Sequence, residues 1–168
     1  MTTSAWKISF TDRTCLVVTH ARQFAHARHG KAISSRDLLY GLVAEGSGVA
    51  ANVLAQYRST FGIRLTPPYA IGSAERERIR SEAILEIQKL ECEAKELMQC
   101  AIDEACECRN KWPDETIPVA WVGTEHLLLA LTRLEQTAGA KLLRSEAAKA
   151  GFCLVDVRNL VLELIGLL

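Results

Sequence analysis

The sequence predicts an all-α protein, and three observations support that prediction. An apolar segment that opens with a small residue and a hydroxyl occurs twice, as Ile33–Leu42 and as Val122–Leu131. Elsewhere, apolar residues recur at the three- and four-residue spacing that is typical of a helix facing a core. No segment shows the sustained two-residue alternation of a half-buried strand, so helices are expected throughout.

Cap residues and helix breakers delimit the expected helices of the first half of the chain. Thr11 and Ser35 carry side-chain oxygens that can accept hydrogen bonds from the free N–H groups of a helix start. Gly30 is expected to stop the first helix, and residues 61–73 contain two glycines and two prolines, which predicts a loop. The expected helices run approximately over residues 11–30, 35–44 and 49–54.

The stretch from Ser73, the expected cap, to Lys111 contains no glycine or proline and leaves two alternatives open. One continuous helix would be about 55 Å long at 1.5 Å per residue. It would separate the two halves and favour a swapped dimer. A bend near residues 89–93 would instead give two helices and a compact monomer. The remaining helices are expected over residues 124–134, 138–150 and 156–165, after a loop at 112–118.

An internal repeat organises the chain, with repeat one over about 10–88 and repeat two over about 91–166 of a single domain, 1–168. Each repeat is expected to contain four helices. A unit that cannot cover its own apolar face must stack on a second copy. The sequence therefore predicts a pseudo-two-fold arrangement, and 49% apolar residues in 168 can supply the core that it needs.

Charge and cysteine content narrow the classes of partner. Twenty basic and twenty acidic residues cancel, so no global field is expected to recruit nucleic acid or an anionic membrane. No apolar run reaches the ~20 residues needed to span a bilayer. Six cysteines without a signal-peptide pattern favour a reducing, cytoplasmic location.

No metal or cofactor site is expected. Cys106 and Cys108 lie on one expected helix, where alternate residues point about 200° apart, so the two thiols cannot chelate one ion unaided. Cys15 and Cys100 are expected to be small buried hydrophobes. Histidines 20, 26 and 29 are interpreted as part of a solvated face, whereas His126, at a helix start, is expected to be structural.

Five motifs then carry a resemblance to a known family, in the family's order. They are Phe10-Thr11-Asp12-Arg13, Gly41-Leu42-Val43, residues 45–54, residues 101–105 and residues 123–129. Together they resemble the amino-terminal double-repeat domain of the Clp protease ATPases, especially the ClpC type. The resemblance implies a non-catalytic module that docks substrates, adaptors or Clp subunits.

The ATPase modules of that family are not encoded in these 168 residues. No Gly-x-x-x-x-Gly-Lys-Ser/Thr phosphate loop occurs in them. The chain is therefore expected to be a stand-alone version of the amino-terminal domain or a piece of a longer protein, and enzyme activity is not expected.

The resemblance also implies where a ligand would bind. In ClpC-like domains the glutamate of each Gly-Thr-Glu-His signature helps to recognise phosphorylated arginine. Thr124 and Glu125 retain that signature in the second copy, whereas Arg36 replaces the glutamate in the first. A carboxylate can pair with the guanidinium while hydroxyls, such as that of Thr11, and helix-start N–H groups receive the phosphate. The alternative is that Glu125 only stabilises its helix start.

Two acidic residues argue against this site. Glu91 and Glu93 stand in the second copy where Thr11 and Arg13 stand in the first. Their negative charge is expected to repel a phosphate bound beside Glu125.

An aromatic loop provides the main functional alternative. Residues 111–119 are extra in the second repeat and contain Trp112, close to Trp121. An exposed aromatic loop is typical of a docking surface, although the rings could equally fold back over the core. The alternative function is thus a structural or assembly protein with a degenerate groove, acting through dimerisation or this loop.

Overall fold

A computed structural model describes residues 7–55, 72–111 and 119–168. Within these ranges the chain forms eight helices and one pair of short strands, which confirms the all-α class. None of these helices combines the length and the apolar character that crossing a bilayer needs. The elements are β1 (Lys7–Phe10), α1 (Asp12–Ala27), α2 (Ser35–Glu45), α3 (Gly48–Leu54), α4 (Ser73–Ile87), α5 (Cys92–Asn110), β2 (Val119–Val122), α6 (Thr124–Arg133), α7 (Ala138–Lys149) and α8 (Leu154–Leu164).

The expectation that no strand would form was wrong for two segments. β1 and β2 pair in parallel, with Lys7 opposite Val119 and Phe10 opposite Val122. Each strand has only four residues, which is too short for a sustained alternation to be recognised in the sequence. Because each strand leads directly into a helix, the pairing places the start of α1 beside the start of α6.

The two repeated apolar segments form the centre of the core. Leu38 and Leu39 of α2 and Leu127 and Leu128 of α6 are all fully buried. Their full burial fits a helix that is apolar on most of its faces. Gly41 permits α2 to approach α1 closely, since a Cβ built there would lie 2.3 Å from the Val17 carbonyl oxygen.

The breaker-free stretch forms two helices, which confirms the bent alternative. α4 ends at Ile87 and α5 begins at Cys92. The turn between them is anchored, because Leu90 is buried and the Glu91 N–H donates to the Ile33 carbonyl at 3.0 Å. The oligomeric state of the chain stays a prediction.

Three predicted helix caps were wrong by one residue. Ser34, Gly72 and Gly123 are the N-caps, and the residues expected to cap, Ser35, Ser73 and Thr124, are the first helical residues. The cap of α1 was predicted correctly at Thr11, whose side chain accepts from the Thr14 N–H.

The physical reason for the shift at α2 and α6 is the third residue of each helix. The Asp37 carboxylate accepts from the Ser34 N–H at 2.8 Å. His126 Nδ1 accepts from the Gly123 N–H at 3.0 Å. Each side chain reaches back to the residue before its helix, so the cap forms there.

Corresponding contacts recur in the two halves of the chain. The Thr11 N–H donates to the Val122 carbonyl at 3.1 Å, and the Glu91 N–H donates to the Ile33 carbonyl at 3.0 Å. In both cases the start of a long helix is joined to the residue that precedes a central apolar helix of the other half. The repeat bounds 10–88 and 91–166 stay a prediction that these contacts support.

A partly buried ion pair joins α5 to α8. Glu104 is 2% exposed and accepts two hydrogen bonds from Arg158, at 2.9 and 3.1 Å. Arg133 of α6 lies 3.5 Å from the same carboxylate. The charge of Glu104 is thus compensated from two neighbouring helices.

We expect Gly41→Ala to lower the free energy of unfolding by about 2 kcal/mol, because the new methyl group must displace backbone in a packed core. Chemical denaturation monitored by circular dichroism measures this change. Gly72→Ala is the control, since a Cβ there meets nothing within 4 Å. Equal stability of both variants would show that α1 and α2 are not in this close contact.

We expect Arg158→Met to destabilise the fold by about 2 kcal/mol, since it leaves the buried Glu104 charge with only Arg133 nearby. Adding Glu104→Gln should recover part of that loss, and a double-mutant cycle from urea denaturation measures the coupling. Arg144→Met, which removes an exposed pair with Glu135, should cost under about 1 kcal/mol. Additive effects of the two buried-pair substitutions would contradict the pairing.

Candidate functional site

A pocket of about 330 Å³ lies where the starts of α1, α3 and α6 meet. It contains residues from both halves of the chain, which lie 74 to 114 positions apart in the sequence. The lining residues are Thr11, Asp12, Arg13, Gly48, Val49, Gly123, Thr124 and Glu125.

One carbonyl group, that of Val122, fixes the two long helix starts relative to each other. It accepts the Thr11 N–H at 3.1 Å and the Thr14 hydroxyl at 2.8 Å. Because the Thr14 proton is used in this way, the 3.0 Å contact between the two threonine hydroxyls must be donated by Thr11. The Thr11 hydroxyl also caps α1, so it positions the pocket and has no proton left for a ligand.

Two glycines make room for the charged side chains of the pocket. A Cβ built on Gly48, which has a φ of 78°, would lie 2.6 Å from Arg13 Nη1. A Cβ built on Gly123 would lie 2.2 Å from Glu125 Oε1. The guanidinium and the carboxylate therefore occupy the space that side chains at these two positions would fill.

The pocket contains polar groups that are not engaged elsewhere. Within the part of the chain that the structure describes, the Arg13 guanidinium has no ion-pair partner and the Thr124 hydroxyl makes no hydrogen bond. Thr124 is 2% exposed and lines the pocket. Glu125 approaches His126 Nδ1 at 3.4 Å. A free donor and a free cation thus lie across from a carboxylate.

His126 stabilises the start of α6, which lines the pocket. Its Nδ1 accepts the Gly123 N–H, so the proton of the neutral ring is on Nε2. Burial lowers the pKa of His126, against the opposing charges of Glu125 and Glu104. The neutral ring therefore maintains the cap that precedes Thr124 and Glu125, which agrees with the structural role expected for it.

The other half of the chain contains a second polar cluster at the starts of α5, α2 and α7. The Glu93 carboxylate accepts from the Ser35 hydroxyl at 3.0 Å and from the Ala138 N–H at 2.8 Å. The Gly139 N–H donates to the Ser35 hydroxyl at 2.9 Å. In this cluster each polar group has a partner.

The expectation that Glu91 and Glu93 would repel a phosphate beside Glu125 was wrong. Glu91 pairs with Arg28 at 3.1 Å, and Glu93 is bonded to α2 and α7. Neither lines the pocket. Each cluster combines the long first helix of one half with the central helix of the other half. Glu91 and Glu93, at the start of α5, therefore lie beside α2 and not beside Glu125 of α6.

The structure brings together three of the four residues that the sequence assigned to the ligand site. Thr11, Thr124 and Glu125 line one pocket, whereas Arg36 is exposed at the start of α2 in the other half. Arg13 and Gly48 were not among the assigned residues. The signal for Arg13 is its place in the motif Phe10-Thr11-Asp12-Arg13, and the signal for Gly48 is its place in the motif at residues 45–54.

Trp121 lies two residues before the cap of α6, opposite Ser9 in the strand register, and is 49% exposed. Of the two alternatives, an exposed ring or a ring folded over the core, Trp121 shows the exposed one. Trp112 and the rest of residues 112–118 lie outside the described residues.

Two of the cysteines are buried, as expected. Cys15 is 1% exposed, and burial raises the pKa of its thiol to about 11. Cys100 is 8% exposed, and burial also raises its thiol pKa. Both thiols are therefore protonated at neutral pH and act as apolar groups.

Comparison with known proteins indicates the relatives of this fold. The chain is 27% identical over 160 residues to the Clp protease ATP-binding subunit ClpA homolog of Guillardia theta. It is 26% identical over 160 residues to the chloroplastic chaperone protein ClpC2 of Oryza sativa subsp. japonica, and 25% identical over 160 residues to ClpC1 of Arabidopsis thaliana. No family model matches the chain.

These alignments cover 94% of the chain in each case. The chain spans 17% of the Guillardia protein and 15% of each of the two chloroplast chaperones. The resemblance to the Clp ATPases is thereby confirmed, and the helical structure fits a Clp amino-terminal domain.

We expect the fold to lose stability as the pH falls from 7.5 to 5.5, partly through His126. Its folded pKa lies below the unfolded value near 6.5, so the unfolded chain binds more protons in this window and the free energy of unfolding decreases. Urea denaturation across this range measures the slope. His126→Asn, which keeps an acceptor for the Gly123 N–H but does not titrate, should flatten it. An unchanged slope would show that His126 is not buried as a neutral ring.

Proposed function

We propose that this chain is a non-catalytic module that binds protein partners of a Clp-type chaperone or protease system. The observation that carries the proposal is the pocket that Glu125 lines together with Arg13 and Thr124, whose polar side-chain groups have no partner among the described residues. Such a pocket suits a ligand that carries a positive and a negative group close together.

An arginine side chain phosphorylated on its guanidinium is such a ligand. Its guanidinium would pair with the Glu125 carboxylate, and its phosphate would accept hydrogen bonds from Arg13 and from the Thr124 hydroxyl. Thr11 would position these groups through the cap of α1. The burial of Thr124 favours binding, since its hydroxyl has no competing partner among the described residues.

The similarity to Clp subunits supports a role in that system. The relatives are named as ATP-binding subunits and chaperones, and this chain corresponds to 15–17% of their length. The 168 residues contain no phosphate-loop motif, which supports binding without ATP hydrolysis. Docked partners would be unfolded or tagged substrates, adaptors or Clp subunits, and the cytoplasmic location stays a prediction.

A second candidate function is assembly through an aromatic surface. Trp121 is 49% exposed at the edge strand β2, and exposed tryptophans are frequent anchors of protein interfaces. In that case the chain would bind a folded partner, and the pocket would contribute little.

Calorimetric titration with free phosphoarginine and with an arginine-phosphorylated unfolded protein tests the proposal. We expect saturable binding that Glu125→Ala weakens at least about tenfold, since a hydrogen-bonded ion pair contributes roughly 1.5–3 kcal/mol. Arg36→Ala is the matched control, because it removes a charge at the corresponding helix start of the other half. We expect it to bind as the unaltered chain does.

Two outcomes would reject the pocket as the docking site. One is the absence of binding to either ligand. The other is equal weakening by Glu125→Ala and Arg36→Ala, which would show that the loss of binding is not specific to the pocket. Retained capture of a Clp subunit that Trp121→Ala abolishes would favour the second candidate.

A further inference from the structure

The two polar clusters of this chain occupy corresponding places in the two halves. Each lies where the start of a long helix, the start of a central apolar helix and the start of a third helix meet. We call the cluster with Arg13, Thr124 and Gly48 the open site. The cluster with Glu93, Ser35 and Gly139 is the closed site.

The closed site has an acidic residue, Glu93, at the position where the open site has a basic residue, Arg13. Glu93 is the second residue of α5, the position that Arg13 has in α1. Its carboxylate bridges the Ser35 hydroxyl of α2 and the Ala138 N–H of α7, at 3.0 and 2.8 Å. These two hydrogen bonds lower the pKa of Glu93, so the group is ionised at neutral pH. A negative group of the chain itself thus fills the position in which an external anion would be received.

Helix packing also distinguishes the open site from the closed site. A Cβ built on Gly139 would lie 2.5 Å from the Ser35 carbonyl oxygen, so α7 and α2 touch backbone to backbone. A Cβ built on Gly48 would meet the flexible end of Arg13 at 2.6 Å and the Thr124 hydroxyl at 3.3 Å. The open site is therefore bordered by side chains that can move, and the closed site by backbone that cannot.

The hydrogen bonding of the two hydroxyls completes the contrast. Ser35 donates to Glu93 and accepts from the Gly139 N–H at 2.9 Å. The corresponding Thr124 hydroxyl makes no hydrogen bond within the described ranges. One hydroxyl is committed to the fold, and the other is available.

We propose that Glu93 is a built-in occupant of the second docking site, so that the chain binds one ligand per molecule although it has two corresponding sites. The contact is autoinhibitory, because it satisfies the groups that would otherwise receive an anion. The statement about ligand number rests on the proposed function. The occupancy of the closed site by Glu93 does not, and it is tested separately.

Chemical rescue tests the occupancy. Glu93→Ala removes the carboxylate and leaves the Ser35 hydroxyl and the Ala138 N–H without their acceptor, and Glu93 is exposed, so an external anion can reach them. We expect the thermal midpoint to fall by ~2–4 °C. Acetate or inorganic phosphate should then restore stability by binding in place of the lost group, compared with chloride at equal ionic strength.

The unaltered chain and Glu163→Ala, an exposed carboxylate on α8, are the controls. Neither should gain stability from acetate or phosphate beyond the chloride reference. Equal stabilisation of all three proteins, or no loss of stability in Glu93→Ala, would overturn the proposal. If Glu93→Ala does not fold, Glu93→Ser replaces it, because its short side chain cannot bridge the Ser35 hydroxyl and the Ala138 N–H. Stabilisation of Glu93→Ser by phosphate no greater than that of the controls would also overturn the proposal.

Stoichiometry separates this inference from the proposed function. With phosphoarginine, the unaltered chain should give one site per molecule. Two sites per molecule would overturn the closure by Glu93 while leaving the proposed function intact. Rescue by acetate without any phosphoarginine binding would support the closure and reject the proposed ligand.

Discussion

The architecture of the site depends on the backbone carbonyl of Val122, at the end of the strand pair. It accepts both the N–H of Thr11 and the hydroxyl of Thr14, and so joins the start of α1 to the start of α6. Parallel strands need a long connection between them, and the described part of that connection contains α1 to α5. Because both strands lead directly into helices, this single acceptor brings positions 11–14 and 122–125 to one place, and the pocket exists only where they meet.

The side chains behind the two sites differ in a way that follows from electrostatics. The closed half uses Asp37 at the third residue of its central helix. Burial alone would raise the pKa of that carboxyl, but the hydrogen bonds from Arg28 and Ser34 lower it. Asp37 therefore remains charged and is paired with Arg28, which also pairs with Glu91. The open half uses the neutral His126, which needs no counterion. The open half therefore caps its helix without drawing a cation away from the pocket.

Sequence patterns predicted most of the helices and little of the site. Capped apolar runs and glycine-containing turns located α1, α2, α6 and α7 because these signals are local. The pairing of β1 with β2 was missed, since four residues of extended chain resemble a loop entry. Without that pairing, Glu91 and Glu93 could not be assigned to the correct side, and Arg13 could not be recognised as lining the same pocket as Glu125. The placement of these residues depends on the pairing of β1 with β2, which are far apart in the sequence. No short segment of the sequence indicates that pairing.

Each site combines residues from both halves of the chain. For this reason, joining the two copies in one chain permits two different sites, which a symmetric dimer of separate copies does not. Two separate copies of one repeat, related by a two-fold axis, would form two identical sites, because every substitution would appear twice. When the copies are joined in one chain, Arg13 and Glu93 become independent positions. One site can then serve as a structural brace between α5, α2 and α7 while the other remains free for recognition. Covalent linkage of the two copies thus allows stability and binding to be assigned to different sites.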